Sequence, residues 1–311
     1  MTRTHASLFA LLLLFTSCGG TGPRAAYEAD VLHVTLGEEP FAVVHAAATP
    51  RPFVHPLLGP GGVPVTRSFP MAEEPGEAKD HPHHQSFWFA HGDVEGFDFW
   101  HGKGHGERIA LVEEPQVQVD GERCSVRTRY QWLVSKGHPL CSEERELVFA
   151  GDGEQRTVDV SITLEAGDEP VTFGDTKEGS FALRLHPELR VEGEVAKGTL
   201  TNSEGQSGRG AWGKRARWIQ ASGTVEGVPV GVVILDHPAN PRHPTWWHAR
   251  TYGLVAANPF GVHDFEKKPA GTGDLTLAPG ESLRLRYRVL LHGAGWDAER
   301  VERAWRAWAE E

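Results

Sequence analysis

The chain has 311 residues, a formal net charge of −11, 36 glycines, 21 prolines and 10 tryptophans. The acidic balance, with no basic stripe, argues against a nucleic-acid partner. A hydrophobic content of 39% is enough for the core of one large domain.

Residues 1–18 read as a secretory signal. Arg3 supplies the positive start, Leu8 to Phe15 the short apolar run, and Thr16-Ser17-Cys18 the end. That run is too short to span a membrane. Small residues directly before a cysteine form a bacterial lipobox, so Cys18 is expected to be lipidated. The protein would then be periplasmic or attached to the outer membrane, touching it through the lipid anchor only. Residues 19–27 read as a flexible tether, and residues 28–311 as a single β-sandwich domain. Cys124 and Cys141 fall in neighbouring β-like segments, and an oxidising compartment allows them a disulfide.

Strand patterns begin at Val31 and recur at Phe41–Val44, Arg51–Leu57, Ile109–Val112 and Val117–Val119. Between Arg123 and Val134, Cys124, Val126, Thr128, Tyr130 and Trp132 alternate with a charged face. That is the pattern of a half-buried strand. Further strands are expected at Glu146–Ala150, Thr157–Leu164, Phe181–His186, Arg217–Ala221, Val228–Leu235, Arg250–Ala256 and Ser282–His292. One helix is convincing: Asp297 caps a segment with Val301, Trp305 and Trp308 on one face. The spacing predicts an all-β protein, an antiparallel sandwich with a short C-terminal helix. Nucleotide-binding glycine loops and the serine-hydrolase elbow are missing from the sequence.

The chemistry concentrates in Lys79–Trp100, which holds His81, His83, His84 and His91 with Asp80, Asp93 and Asp98. Imidazoles and carboxylates move protons or bind metals near neutral pH. Trp88 and Trp100 beside them offer ring faces for a sugar. Three further blocks are polar, the last two also aromatic: Gly174–Gly179, with Asp175, Lys177 and Glu178; Gly210–Trp218, with Trp212; and Asp236–Tyr252. The last carries Asn240, Arg242, Trp246, His248 and Arg250 and is stiffened by proline.

The blocks K-D-H-P-H-H-Q-S-F-W-F-A-H-G-D-V at 79–94, D-T-K-E-G-S-F at 175–181, W-G-K-R-A at 212–216, D-H-P-A-N-P-R-H-P-T-W-W-H-A-R at 236–250 and Y-G-L-V-A-A-N-P-F-G at 252–261 resemble the PmoA-like family of secreted bacterial proteins. That name evokes a methane-oxidising membrane subunit. This chain has no spanning segment after its signal, so methane oxidation is not inherited. The close at 277–293, L-x-P-G-E-x-L-x-L-x-Y-R-V-L-L-H-G, resembles the galactose-mutarotase-type β supersandwich. That resemblance implies saccharide binding on a sheet face and leaves the reaction open.

These readings combine into a secreted carbohydrate-active enzyme of lyase, glycoside hydrolase or epimerase type. His83, His84, Glu178 and His248 are the acid–base candidates. Trp88, Trp100, Asp175, Lys177, Arg184, Trp212, Asn240, Arg242, Trp246 and Arg250 are the substrate-binding candidates. One alternative is a metal-dependent enzyme in which His81, His83, His91 and Asp93 hold a divalent ion. The other is a non-catalytic glycan-binding lipoprotein. The oligomeric state is left open.

Overall fold

A computed structural model describes residues 22–28, 31–74, 77–102 and 106–311. Its strands in chain order begin with β1 (Pro23–Glu28), β2 (Val31–Leu36), β3 (Glu39–His45), β4 (Phe53–Leu57) and β5 (Phe87–His91). β6 (Arg108–Leu111), β7 (Gln116–Asp120), β8 (Arg123–Leu133), β9 (Pro139–Gly151) and β10 (Gln155–Ala166) follow. Next come β11 (Val171–Phe173), β12 (Gly179–Arg184), β13 (Thr199–Asn202), β14 (Lys214–Arg215) and β15 (Trp218–Val225). The last are β16 (Val228–Asp236), β17 (Trp246–Ala249), β18 (Leu254–Asn258), β19 (Leu275–Leu277) and β20 (Ser282–His292).

They build two nine-stranded antiparallel sheets and a separate two-stranded one, β11-β19. The first runs β1-β2-β3-β4-β5-β12-β18-β17-β14. The second runs β13-β15-β16-β20-β10-β9-β8-β6, with β7 continuing along β8. The expected all-β antiparallel sandwich is therefore the observed fold. Its helices are few: α1 (Val262–Glu266) and α2 (Ala298–Ala309). The Asp297 side chain accepts the Arg300 backbone N–H and caps α2 as expected. Val301 and Trp308 then pack onto Val233, Leu235 and Leu290 of the second sheet.

Alternation along β8 buries Cys124, Val126, Tyr130 and Trp132 and leaves the arginines outside. The middle strands of the first sheet behave differently. β5, β12 and β18 are buried at every residue. Their inner face packs on the second sheet, where Phe181 stacks on Tyr287 with ring centroids 4.6 Å apart. Their outer face must then be covered by loops. Ala182 follows Phe181 and so points outward. The register aligns Trp88, Ala182, Ala256 and His248 across four adjacent strands. This row spans three strand spacings, about 14 Å. Small alanines in its middle give the loops above room to descend.

Two sequence expectations change here, and one question left open, the disulfide, is answered. Pro23–Tyr27, read as part of a tether, belongs to β1, which pairs with β2 as an edge strand; Cys18 and residues 19–21 lie outside the described residues. Cys124 pairs with Phe149, and Cys141 with Trp132. The two cysteines are thus eight positions apart along the hairpin, about 26 Å, whereas a disulfide needs Cα atoms within roughly 7 Å. Both are free and buried. Arg250–Ala256 is not one strand: the Gly253 N–H donates to the Arg250 carbonyl, and Gly253 turns at φ +98°. Arg250 therefore sits in the turn of the β17–β18 hairpin.

Candidate active site

Arg184 ends β12 on the outer face and organises the loop above it. Its Nη2 donates to both Asp80 carboxylate oxygens, at 2.8 and 3.0 Å, and its Nη1 donates to His84 Nδ1 at 2.9 Å. Its guanidinium lies 4.6 Å from the Tyr252 ring centre. Arg67 reaches the same carboxylate, with Nη1 2.7 Å from Asp80 Oδ1. Burial raises the Asp80 carboxyl, but Arg184, the His81 hydrogen bond and Arg67 outweigh it and hold it at about 2.

A column of rings stands on this base. Tyr252 stacks on His81 at 5.2 Å, His81 on His84 at 4.8 Å, and His84 on Trp88 at 5.4 Å. His84 is buried, and burial with His83 and Arg184 beside it drives its pKa far down. It is a neutral imidazole whose Nδ1 lone pair is already taken by Arg184. The ring nitrogen expected to carry a proton is thus committed within the protein. Trp88 and Trp100 are 0% exposed and pack on each other, so they are the floor under the histidines and not sugar platforms.

The partly exposed imidazoles lie at the rim. His81 Nδ1 donates to Asp80 Oδ2 at 2.6 Å, and His101 Nδ1 to Asp98 Oδ2 at 2.6 Å. These side chains are 42% and 30% exposed. Neither His81 Nε2 nor His101 Nε2 has a hydrogen bond among the described residues. The His83 ring lies between them, 5.7 Å from His81 and 4.4 Å from His101. Burial raises Asp98, yet hydrogen bonds from the His101 side chain and backbone carry it below the usual carboxylate range. Buried Arg51 ties the two loops together. It donates to the carbonyls of Phe99 at 2.5 Å, of Trp100, and of His83 at 3.3 Å.

The second group sits at the β17 end of the row. His248 Nδ1 donates to the Lys177 carbonyl at 2.8 Å, and its Nε2 accepts from Arg250 Nε at 3.1 Å. Burial lowers it to about 4. Burial and the hydrogen bond from Arg250 favour the neutral ring, as at His84, and both His248 nitrogens are engaged. Glu178 is partly exposed and paired to Lys177 Nζ at 3.0 Å. Its charge acts on both His248 and Tyr252. Tyr252 also feels Arg184, Arg250 and Asp80, and so joins the two groups.

Several expected site residues point away from this face or bond within the protein. His91 alternates with Trp88 along β5 and points inward, bonded to the Gly174 carbonyl at 2.8 Å and packed on Phe260. The Asp93 carboxylate caps the Gly96 N–H. The metal set His81, His83, His91 and Asp93 is therefore split between the two faces of the sheet. Among the described residues no group of three or more His, Cys, Asp or Glu side chains is placed to hold a metal. Asp175 accepts the backbone N–H groups of His263 and Gly273. Asn240 bonds Asp236 and the Arg286 backbone. Arg242 is spent on the carbonyls of Pro259, Gly273 and Asp274. Trp246 is buried, with its indole N–H on Glu266. Trp212 keeps a site position, half-buried with Arg250 5.1 Å over its ring. His101, Asp98, Tyr252 and Arg51 escaped the sequence reading as site residues. The Asp98–His101 spacing in D-F-W-H was the available signal.

Residues 31–306 match one protein family over nearly the whole chain. The chain belongs to DUF6807, a family of unknown function. This match gives no support to the PmoA-like resemblance. No curated protein matches the sequence. Among solved structures, the galactosidase domain of an α-galactosidase–sucrose kinase is similar at TM-score 0.43 and 9% identity, covering 86% of this chain and 41% of that one. A galactose mutarotase-like protein from Clostridium acetobutylicum is similar at 0.40 and 10% identity, covering 88% and 99%. An α-galactosidase from Lactobacillus brevis is similar at 0.40 and 9%, covering 88% and 40%. The DUF6807 chain thus spans about two fifths of the galactosidases it matches. These similarities are too distant to bear on the chemistry of the site.

Proposed function

We propose that the outer face of the first sheet is the active site of an enzyme performing acid–base chemistry on a saccharide. The observation that carries this reading is the pair of carboxylate-held imidazoles, His81 on Asp80 and His101 on Asp98, on either side of His83. A carboxylate on Nδ1 fixes the tautomer and leaves the Nε2 lone pair for a substrate proton. It also stabilises the imidazolium that proton transfer creates. Glu178, with Tyr252 between, supplies a second titratable group on the same face. Half-buried rings at Tyr252 and Trp212 suit a polyhydroxylated ring with apolar faces. Lyase, hydrolase and epimerase reactions all need a proton taken at one position and returned at another.

A turnover screen on diverse glycans, read for unsaturated products, new reducing ends and anomeric change, tests the proposal. His101→Ala and His81→Ala should each lower turnover about a hundredfold, the scale of one acid–base group. A double variant with unchanged turnover would overturn the reading.

We propose separately that Cys18 carries lipid and holds the protein at a membrane. The support is the apolar run and small residues before it. Cys18→Ser should move the protein to the soluble fraction. Retention at the membrane would refute it.

A further inference from the structure

Three arginines stood out as ligand-binding candidates, and their surroundings separate them. Arg184 is saturated by Asp80 and His84 under the Tyr252 ring. Arg242 is saturated by three carbonyls. Arg250 makes a single side-chain hydrogen bond, from Nε to His248 Nε2. Its Nη1 and Nη2 have no partner among the described residues.

This open fork is held in place from two sides. The guanidinium lies 5.1 Å over the Trp212 ring, and Trp212 in turn meets Phe265 edge-on at 5.6 Å. His248 is fixed by the Lys177 carbonyl, and its neutral state lets it accept from Arg250. The Glu178 and Arg250 charges both act on His248 and on Tyr252, so the two groups flank the same place. No ion pair within 4.0 Å joins them, because Glu178 pairs with Lys177 instead. A partly exposed arginine near a carboxylate ordinarily swings to meet it. Here the stacking and the Nε bond prevent that, and a cationic fork faces the site unspent. Two parallel N–H donors match a carboxylate in a way they do not match a hydroxyl, and prior fixing lowers the ordering cost of binding.

We infer that the site takes a saccharide bearing a carboxylate, a uronic acid residue, and that the Nη atoms of Arg250 bind that carboxylate. The inference rests on the saccharide reading and narrows it to acidic sugars.

The test is calorimetric binding of uronate oligosaccharides, each paired with its methyl ester, which keeps the ring and removes the charge. The full chain should bind at least one uronate about tenfold or more tightly than its ester. Arg250→Ala should erase that difference, and Arg250→Lys should retain only part of it, since an ammonium offers no fork. Thermal midpoints and circular dichroism confirm that each variant is folded. Equal binding of acid and ester, or a preference that survives Arg250→Ala, overturns the inference. If neutral sugars bind this face without any gain from a carboxylate, the substrate class is wrong and the saccharide reading stands. If no saccharide of either kind binds, both fall.

Discussion

At the scale of single residues, hydrogen-bond occupancy separates the histidines by role. His84 and His248 have their acceptor nitrogens filled by arginines, whereas His81 and His101 are held at Nδ1 and open at Nε2. Asp98→Asn should therefore be more harmful than its size suggests. The amide can hold the ring in the wrong tautomer and cannot stabilise the imidazolium. We expect kcat/KM to fall at least about tenfold while the fold persists, read by steady-state kinetics beside circular dichroism. Unchanged kcat/KM would remove His101 from the chemistry. Asp80→Ala should act on stability as well. It strips Arg184 and Arg67, both nearly inaccessible, of their shared carboxylate. A fully buried pair costs about 3–5 kcal/mol to break. Asp80 is 37% exposed, so solvent screening brings the expectation to about 2 kcal/mol. Denaturant titration would show it.

At the scale of elements, alternation and capping were legible in the sequence, and register was not. The buried stripe of β8 and the Asp297 cap follow from local pattern. The separation of Cys124 from Cys141 depends on how far the β8–β9 hairpin slides before it pairs. Thiol titration of the denatured, unreduced chain lacking Cys18 should find two free thiols, and a count of none would contradict the register. Helix α2 is a second case. Trp308 is buried against Val233, Leu235 and Leu290, so Trp308→Ala should cost about 3–5 kcal/mol. Asp297→Ala should cost about 1 kcal/mol through the lost cap. Equal effects at the two positions would argue that α2 is not packed as described.

At the scale of the whole molecule, several buried or half-buried imidazoles set the response to acid. Burial lowers His55, His91 and His248 to about 4 each. Between the ordinary histidine value near 6.5 and about 4, the unfolded chain binds protons that the native state refuses. Native stability should thus fall as pH drops through that window. Asp80 acts lower down. Its carboxyl is held at about 2, so its contribution is complete above the ordinary value near 3.8 and is lost as pH falls toward 2. Urea midpoints measured from pH 7 to pH 4 should decline steadily. A flat profile would mean that these histidines titrate in the native state as they do in the unfolded chain.

The sequence by itself determined the class of fold, the terminal helix and the stretches where chemistry collects, because those depend on period, capping and composition within a short window. It singled out Lys79–Trp100 without showing which of its side chains are spent on partners within the protein. Only the tertiary structure decided that Trp88 faces the site while His91, three residues on, faces the core. The same holds for Arg242 being spent on carbonyls while Arg250 is open, since nothing near either residue in the chain reveals its distant partners. The physical reason is range. A side chain's propensity is local, whereas the occupancy of its last lone pair or N–H is set by groups up to a hundred residues away, as Arg184 and His84 are.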